Sequence, residues 1–338
     1  MHGLYLLWWV GERGISPAIV AAILVAGDLA FIGLEIPAGW FADRFGHRAS
    51  LIIGSLVQVI GMLACWLGRG VPELVLAAVL VALGDAFRSG ADEALLYRTC
   101  VALGREEDFQ KIEAQTKAAG LFALVALLIA GGVIVSHVGF AAAWAAEATL
   151  CAFGLAMACC MIEPPVDSRS DGTTHESGDQ SEGSSASALL RGRLAILILP
   201  VALIDALAAS SSFLVQTEGI LSPDALTLAV AAMTLAEAAG AFVAARSSGC
   251  GSRGLWLLAS GGVVTFAAAL VLTSGILLAA VVSSFILGLM HPLRATLLQR
   301  EAVDSARARV ASMASACDVA FASIAVSLAG GWRHGRRS

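Results

Sequence analysis

An all-α polytopic membrane protein is the fold class this sequence predicts, and three observations carry the prediction. Hydrophobic residues make up 58% of the 338 residues and charged residues 14%, with a mean hydropathy of +0.82, far from the averages of water-soluble chains. Long Ala/Leu/Val runs such as 119–135 and 225–236 do not alternate polar with apolar positions, as the strands of a membrane barrel would. The basic residues are segregated: 15 of the 21 Lys and Arg lie in the segments 39–50, 97–117, 163–193, 246–254 and 294–309.

A spanning helix needs roughly 20 apolar residues. About ten full spans are expected, near 18–38, 50–68, 74–96, 118–135, 141–162, 194–216, 225–245, 255–273, 275–293 and 310–331. The loops on the other side hold only Arg13 and Arg69, so the positive-inside rule makes the basic segments cytoplasmic and places Trp8, Trp9 and Trp332 near the outer interface. Residues 3–10 supply a partial first helix, about eight apolar residues or roughly 12 Å, against a hydrocarbon core of ~30 Å. The last span should exit outward, leaving Arg333, Arg336 and Arg337 on the side poor in positive charge. The chain therefore reads as a twelve-helix design lacking the start of helix 1 and all of helix 12. The seven cysteines form no CxxC or Cys/His spacing and are read as small apolar residues. No cleavable signal peptide is evident.

The first two full spans are joined by Gly39-Trp40-Phe41-Ala42-Asp43-Arg44-Phe45-Gly46-His47-Arg48. So short a charged run must turn one helix straight back into the next, with Asp43 and Arg44 at the water boundary. The run resembles the loop between the second and third helices of the major facilitator superfamily: Gly, three residues, Asp, Arg or Lys, any residue, Gly, Arg, then Arg or Lys. Gly39, Asp43, Arg44, Gly46 and Arg48 match that pattern, and His47 departs from it. Ser89–Tyr97 (SGADEALLY) resembles a fourth-helix signature of one bacterial branch, which continues with Asp where this chain has Arg98. The resemblance implies two pseudo-repeated six-helix bundles of the major facilitator type, with the substrate cavity between them. The expected division is 1–162 (partial helix 1 and helices 2–6), a linker 163–189, and 190–338 (helices 7–11). The linker is Ser/Gly/Asp/Glu-rich and too poor in large apolar side chains to order itself, so it is expected to be disordered and cytoplasmic. Weak internal echoes agree with parallel repeats: Leu83-Gly84 with Leu287-Gly288, and the Gly39 run with Gly240–Arg246.

An Asp at a helix centre costs roughly 2.5–3.5 kcal/mol on insertion scales, so intramembrane charges should face protein or a water-filled cavity. Asp28 and Glu35, seven residues apart, share one helix face. Asp28 reads as a proton-titrating group or a packed hydrogen-bonding carboxylate, and Glu35 as a carboxylate paired near its helix end. Arg88 has Asp85 three residues before it and Asp92 four after, which in one continuous helix puts all three on a face. It serves either coupling and substrate anchoring or an ion-pair network between helices. The resemblance implies that Asp92 and Glu93 form a charge network with the Asp43–Arg44 run that locks the cytoplasmic gate. Asp205, Ser212 and Gln216 make a polar stripe, read as cavity lining or as glue between helices. Glu147, Glu237 and Asp318 read as acids paired between helices, and His291 as interfacial.

No P-loop, HExxH, Ser/His/Asp constellation or selectivity filter appears, which argues against ATP-driven transport, a membrane enzyme and a channel. The expected function is secondary active transport of a small molecule by alternating access, proton-coupled, with export of an amphipathic compound favoured by family analogy. The alternatives are a non-transporting remnant left by truncation and a membrane scaffold acting through the 163–189 segment. No cofactor, metal or nucleic-acid partner is expected. The expected partners are substrate, protons and the lipid bilayer, for a monomer in a bacterial plasma membrane.

Overall fold

The computed structural model describes residues 8–164, 180–217, 223–247, 251–271, 275–302 and 306–337. They form eleven α-helices and no strand: α1 Pro17–Phe45, α2 His47–Leu67, α3 Val71–Arg88, α4 Ala91–Ala102, α5 Phe109–His137, α6 Phe140–Cys160, α7 Gln180–Thr217, α8 Pro223–Ala244, α9 Ser252–Val271, α10 Ile276–Glu301 and α11 Arg307–Arg337. Counting α3 and α4 as one interrupted span, these are the ten helical segments the hydropathy predicts. Among the described residues eight stretches are long and apolar enough to cross a bilayer, and Leu228–Ala244 is a shorter apolar run. The chain is an integral membrane protein.

Two helix boundaries differ instructively from expectation. The Gly39–Arg48 run is two helix ends: α1 continues to Phe45, α2 begins at His47, and Gly46 alone makes the corner with φ +104°. Only glycine adopts such a φ freely, which lets one residue reverse the chain. The expected continuous span 74–96 is broken at Ser89–Gly90, where Gly90 takes φ +71°. The regular i, i+4 register of Arg88 with Asp92 is thereby lost. The expected linker 163–189 lies outside the described residues at 165–179, and α7 begins at Gln180. Residues 3–7 lie outside them too, and Trp8–Glu12 form one π-helical turn.

The chain forms two compact units. The first comprises residues 1–95, 123–163 and 305–316, the second 96–122, 164–304 and 317–338. In the first, α3 packs on α1 and α2, and α2 on α6. One cluster buries Trp9, Ile15, Val20 and Ile23 against Met62, Leu74 and Trp144, so Trp9 belongs to a core rather than to an interfacial belt. A second, alanine-rich cluster joins Ala42, Leu51, Ala91, Ala94, Ala158 and Ala308. In the second unit α10 is central, packing against α7, α8 and α9. A Cβ on Gly240 would run into the carbonyl of Phe285, and one on Gly288 into the carbonyl of Glu237, so α8 and α10 meet backbone to backbone.

Candidate functional site

Two polar constellations stand out, one in each unit. The first surrounds Asp43, whose side chain is only 4% exposed. Its carboxylate accepts from the backbone N–H of Ala308 (2.9 Å) and Arg309 (3.2 Å) and from Nε of Arg309 (3.0 Å). An acid is thus held at the free N–H groups of the first turn of α11, where the helix dipole also favours negative charge. The ring of His47 lies 3.8 Å away. Asp43 thus takes Arg309 and the first turn of α11 as its partners, a contact that the expected network of Asp92 and Glu93 with the Asp43–Arg44 run did not include. Arg44 is exposed, with its guanidinium over the Trp40 ring at 5.7 Å, and makes no ion pair among the described residues. Asp92 accepts from the N–H of Glu93 at 2.8 Å. Sequence reading missed Arg309, which stood only as one more cytoplasmic basic residue.

The glycines of the run have separate physical reasons. A Cβ on Gly39 would lie 3.0 Å from Cα of Arg309 and 2.9 Å from Oγ of Ser312, so Gly39 sets the approach of α1 to α11. A Cβ on Gly46 would meet Oε2 of Glu163 at 2.7 Å. That carboxylate caps α2: Oε1 accepts from the N–H of His47 (2.8 Å), Oε2 from the N–H of Arg48 (3.0 Å), and the His47 ring is 3.2 Å away. Burial pushes the Glu163 carboxyl upward, but the two backbone donors and the His47 ring outweigh it and hold it below its ordinary range. Arg48 donates to the carbonyl of Cys159 at 2.8 Å. Glu163 was expected to open the linker, and is instead built into the first unit.

Deeper in that unit Glu35 is fully buried, with Ser89 and Ser315 as its polar neighbours and no ion pair among the described residues, where pairing was expected for it. Asp28 is exposed on α1. Arg88 lies 4.0 Å from Asp85, both side chains about half exposed.

The second constellation gathers charges from five helices. Arg294 on α10 is 5% exposed and donates from Nη1 to both carboxylate oxygens of Asp318 on α11, at 2.7 and 2.6 Å. Its Nη2 approaches Nδ1 of His291 at 3.3 Å. Lys117 on α5 lies 3.9 Å from Glu237 on α8. Asp205 on α7 is half-buried within the field of Asp318, Arg294, Glu237 and Lys117, and makes no hydrogen bond or ion pair with any described residue. Three carboxylates therefore share two permanent cations. Ser212 is half-buried, and the side chain of Gln216 lies outside the described residues. Arg294 was not singled out from the sequence, and His291, read there as interfacial, lies within α10 beside it. The expected span ended at 293 and put Arg294 in a loop, whereas α10 runs on to Glu301. The available signal was Asp318, an acid in an apolar span that demanded a cation nearby.

The family model of the Major Facilitator Superfamily matches residues 1–326. Among solved structures the chain is similar to the E. coli fucose:proton symporter FucP, at 15% identity and TM-score 0.65, covering 99% of this chain and 91% of that one. It is likewise similar to the proton:xylose symporter XylE bound to 6-bromo-6-deoxy-D-glucose, at 14% identity and TM-score 0.69, covering 95% and 82%. FucP in the outward conformation gives 15% identity and TM-score 0.69, covering 96% and 89%. At these identities the likeness is one of fold. No curated protein sequence matches the chain.

Proposed function

Because the chain belongs to the major facilitator superfamily, we propose that it is a proton-coupled secondary transporter of a small molecule, working by alternating access, with Asp205 as its proton-carrying group. One observation carries the assignment of the group. In the buried cluster, Arg294 neutralises Asp318 and Lys117 faces Glu237, which leaves Asp205 as the carboxylate with no cation of its own. A group in that position gains or loses a proton without breaking a hydrogen bond, and its charge is felt by both pairs beside it. The proton-coupled symporters among the similar folds support the same reading.

The gate is assigned to Asp43 and the N-terminus of α11. Holding Asp43 against Arg309 and two backbone N–H groups joins chain segments more than 260 residues apart. Releasing three hydrogen bonds to one carboxylate is a step that the free energy of substrate and proton binding can drive. Export of an amphipathic compound is the working assignment of cargo and direction, on family analogy. The test uses purified protein in proteoliposomes with ethidium as an amphipathic reporter and an imposed pH gradient. Asp205→Asn should abolish gradient-driven accumulation while leaving downhill exchange intact. Gradient-driven flux unchanged in the variant would overturn the assignment.

A further inference from the structure

At His47 the ten-residue run departs from the pattern it otherwise matches, which has Arg there, and the transport reading gives this residue no task. Its ring is 1% exposed and stands between two carboxylates. Nδ1 lies 3.2 Å from Oε1 of Glu163, and Nε2 lies 3.8 Å from Oδ1 of Asp43. The chemistry of Glu163 assigns the tautomer. That carboxyl, held below its ordinary range, is ionised at neutral pH and can only accept. Nδ1 therefore carries the proton of the neutral ring, and Nε2 turns its lone pair toward Asp43. A second proton, on Nε2, makes the ring a cation that faces both acids. Glu163 is 24% exposed, so the cluster meets water at that edge. Of the other charges at this corner, Arg44 lies over the Trp40 ring and Arg48 donates to the Cys159 carbonyl. α4, which shares the alanine-rich cluster, brings Asp92 and Glu93, whose field favours the cation in the same sense as Asp43 and Glu163. α11 brings Arg307 and Arg309, which oppose it.

The oxygen that the ring faces is the one that anchors α11: Oδ1 of Asp43 also accepts from the N–H of Ala308 at 2.9 Å. A cation at His47 draws on that same oxygen. It is also repelled by Arg309 and by the positive end of the α11 dipole. Asp43 and His47 are four residues apart across a one-glycine corner, so their mutual attraction persists whether or not α11 is docked, and it cancels. What docking adds is the positive charge of α11, and only such a difference shifts an equilibrium. We propose that His47 is a second proton-binding site, separate from Asp205, whose protonation loosens the hold of Asp43 on the N-terminus of α11. The inference rests on the reading of that contact as the gate. By linkage, docking of α11 weakens proton binding at His47 to the same extent. Acid in the adjoining water thus eases the gate open, a response that an arginine in this place would lack.

The test is hydrogen–deuterium exchange at the first turn of α11, on the full-length protein in nanodiscs, with each rate divided by the intrinsic rate at that pH. The N–H groups of Ala308 and Arg309 that Asp43 holds are themselves the reporters. Their protection should fall about fivefold between about pH 8 and about pH 6. His47→Gln should keep the high-pH protection throughout that range, and His47→Asn provides a second neutral variant; thermal unfolding reports whether each is folded. Glu163→Gln, which removes one of the two acids beside the ring, should move the transition to lower pH. Asp43→Asn should lose protection at every pH and alter the rate of downhill ethidium exchange in proteoliposomes. Protection that ignores pH, that rises in acid, or that keeps its pH response in both folded His47 variants would overturn the His47 site, whatever the fate of the gate. Loss of protection in Asp43→Asn with the exchange rate unchanged would overturn the gate reading, and the role of His47 in gating with it.

Discussion

Glu163 shows how much one side chain can do at the end of a helix. It supplies the anion at the first turn of α2 from a position 116 residues away in the chain, and it touches the corner glycine that makes the turn possible. Its folded-state pKa lies below its unfolded value of about 4.3, so the stabilisation is complete above that pH and is lost as the pH falls through the folded value. Glu163→Gln should therefore lower stability by about 1 kcal/mol at neutral pH, the usual worth of a good N-cap. The unfolding curves of variant and wild type should converge in acid. Thermal unfolding in detergent across that range checks both the size and the convergence. Nothing in the sequence marked this residue. It follows the 141–162 span and opens a polar segment, and only the fold brings it back to His47 and Arg48.

At the scale of elements, the Arg294–Asp318 pair ties α10 to α11 inside an apolar bundle. Breaking a buried pair by removing one partner leaves the other charge uncompensated, at a cost of about 3–5 kcal/mol, whereas replacing both with apolar groups of similar volume is often neutral or stabilising. Arg294→Met alone should sharply lower the unfolding temperature, and adding Asp318→Leu should restore it; thermal unfolding of the two variants is the measurement. The existence of α10 and α11 was legible from hydropathy, as were all ten helical segments. Their ends were not. Hydropathy stops at the first charge, so it ended the span at 293 and missed eight further helical residues, the first of which, Arg294, is paired inside the protein. The break at Ser89–Gly90 escaped for the opposite reason. The composition there continues a helix, and what requires glycine is the carbonyl of Ala308, which a Cβ would meet at 2.7 Å.

At the scale of the whole molecule, the family and the helical class were readable from composition and one ten-residue run. The chemistry was readable only in part. Asp43, Gly39 and Gly46 were found because their neighbours in sequence form a pattern, while Arg309, Glu163 and Arg294 act on residues far away in the chain. Orientation rests on charge distribution and makes a direct expectation: in a cysteine-free background, His175→Cys should react with a membrane-impermeant maleimide in inside-out vesicles and be protected in intact cells. The contact between α8 and α10 reaches further, into inheritance. Gly240 and Gly288 each leave room for a hydrogen atom and nothing more. Every missense change reachable from a glycine codon by a single nucleotide installs a β-carbon, so the gene has no one-step amino-acid alternative at either position. In a population of variants these two codons should drift only silently, and a saturation library should show them as paired deserts flanked by positions that tolerate change.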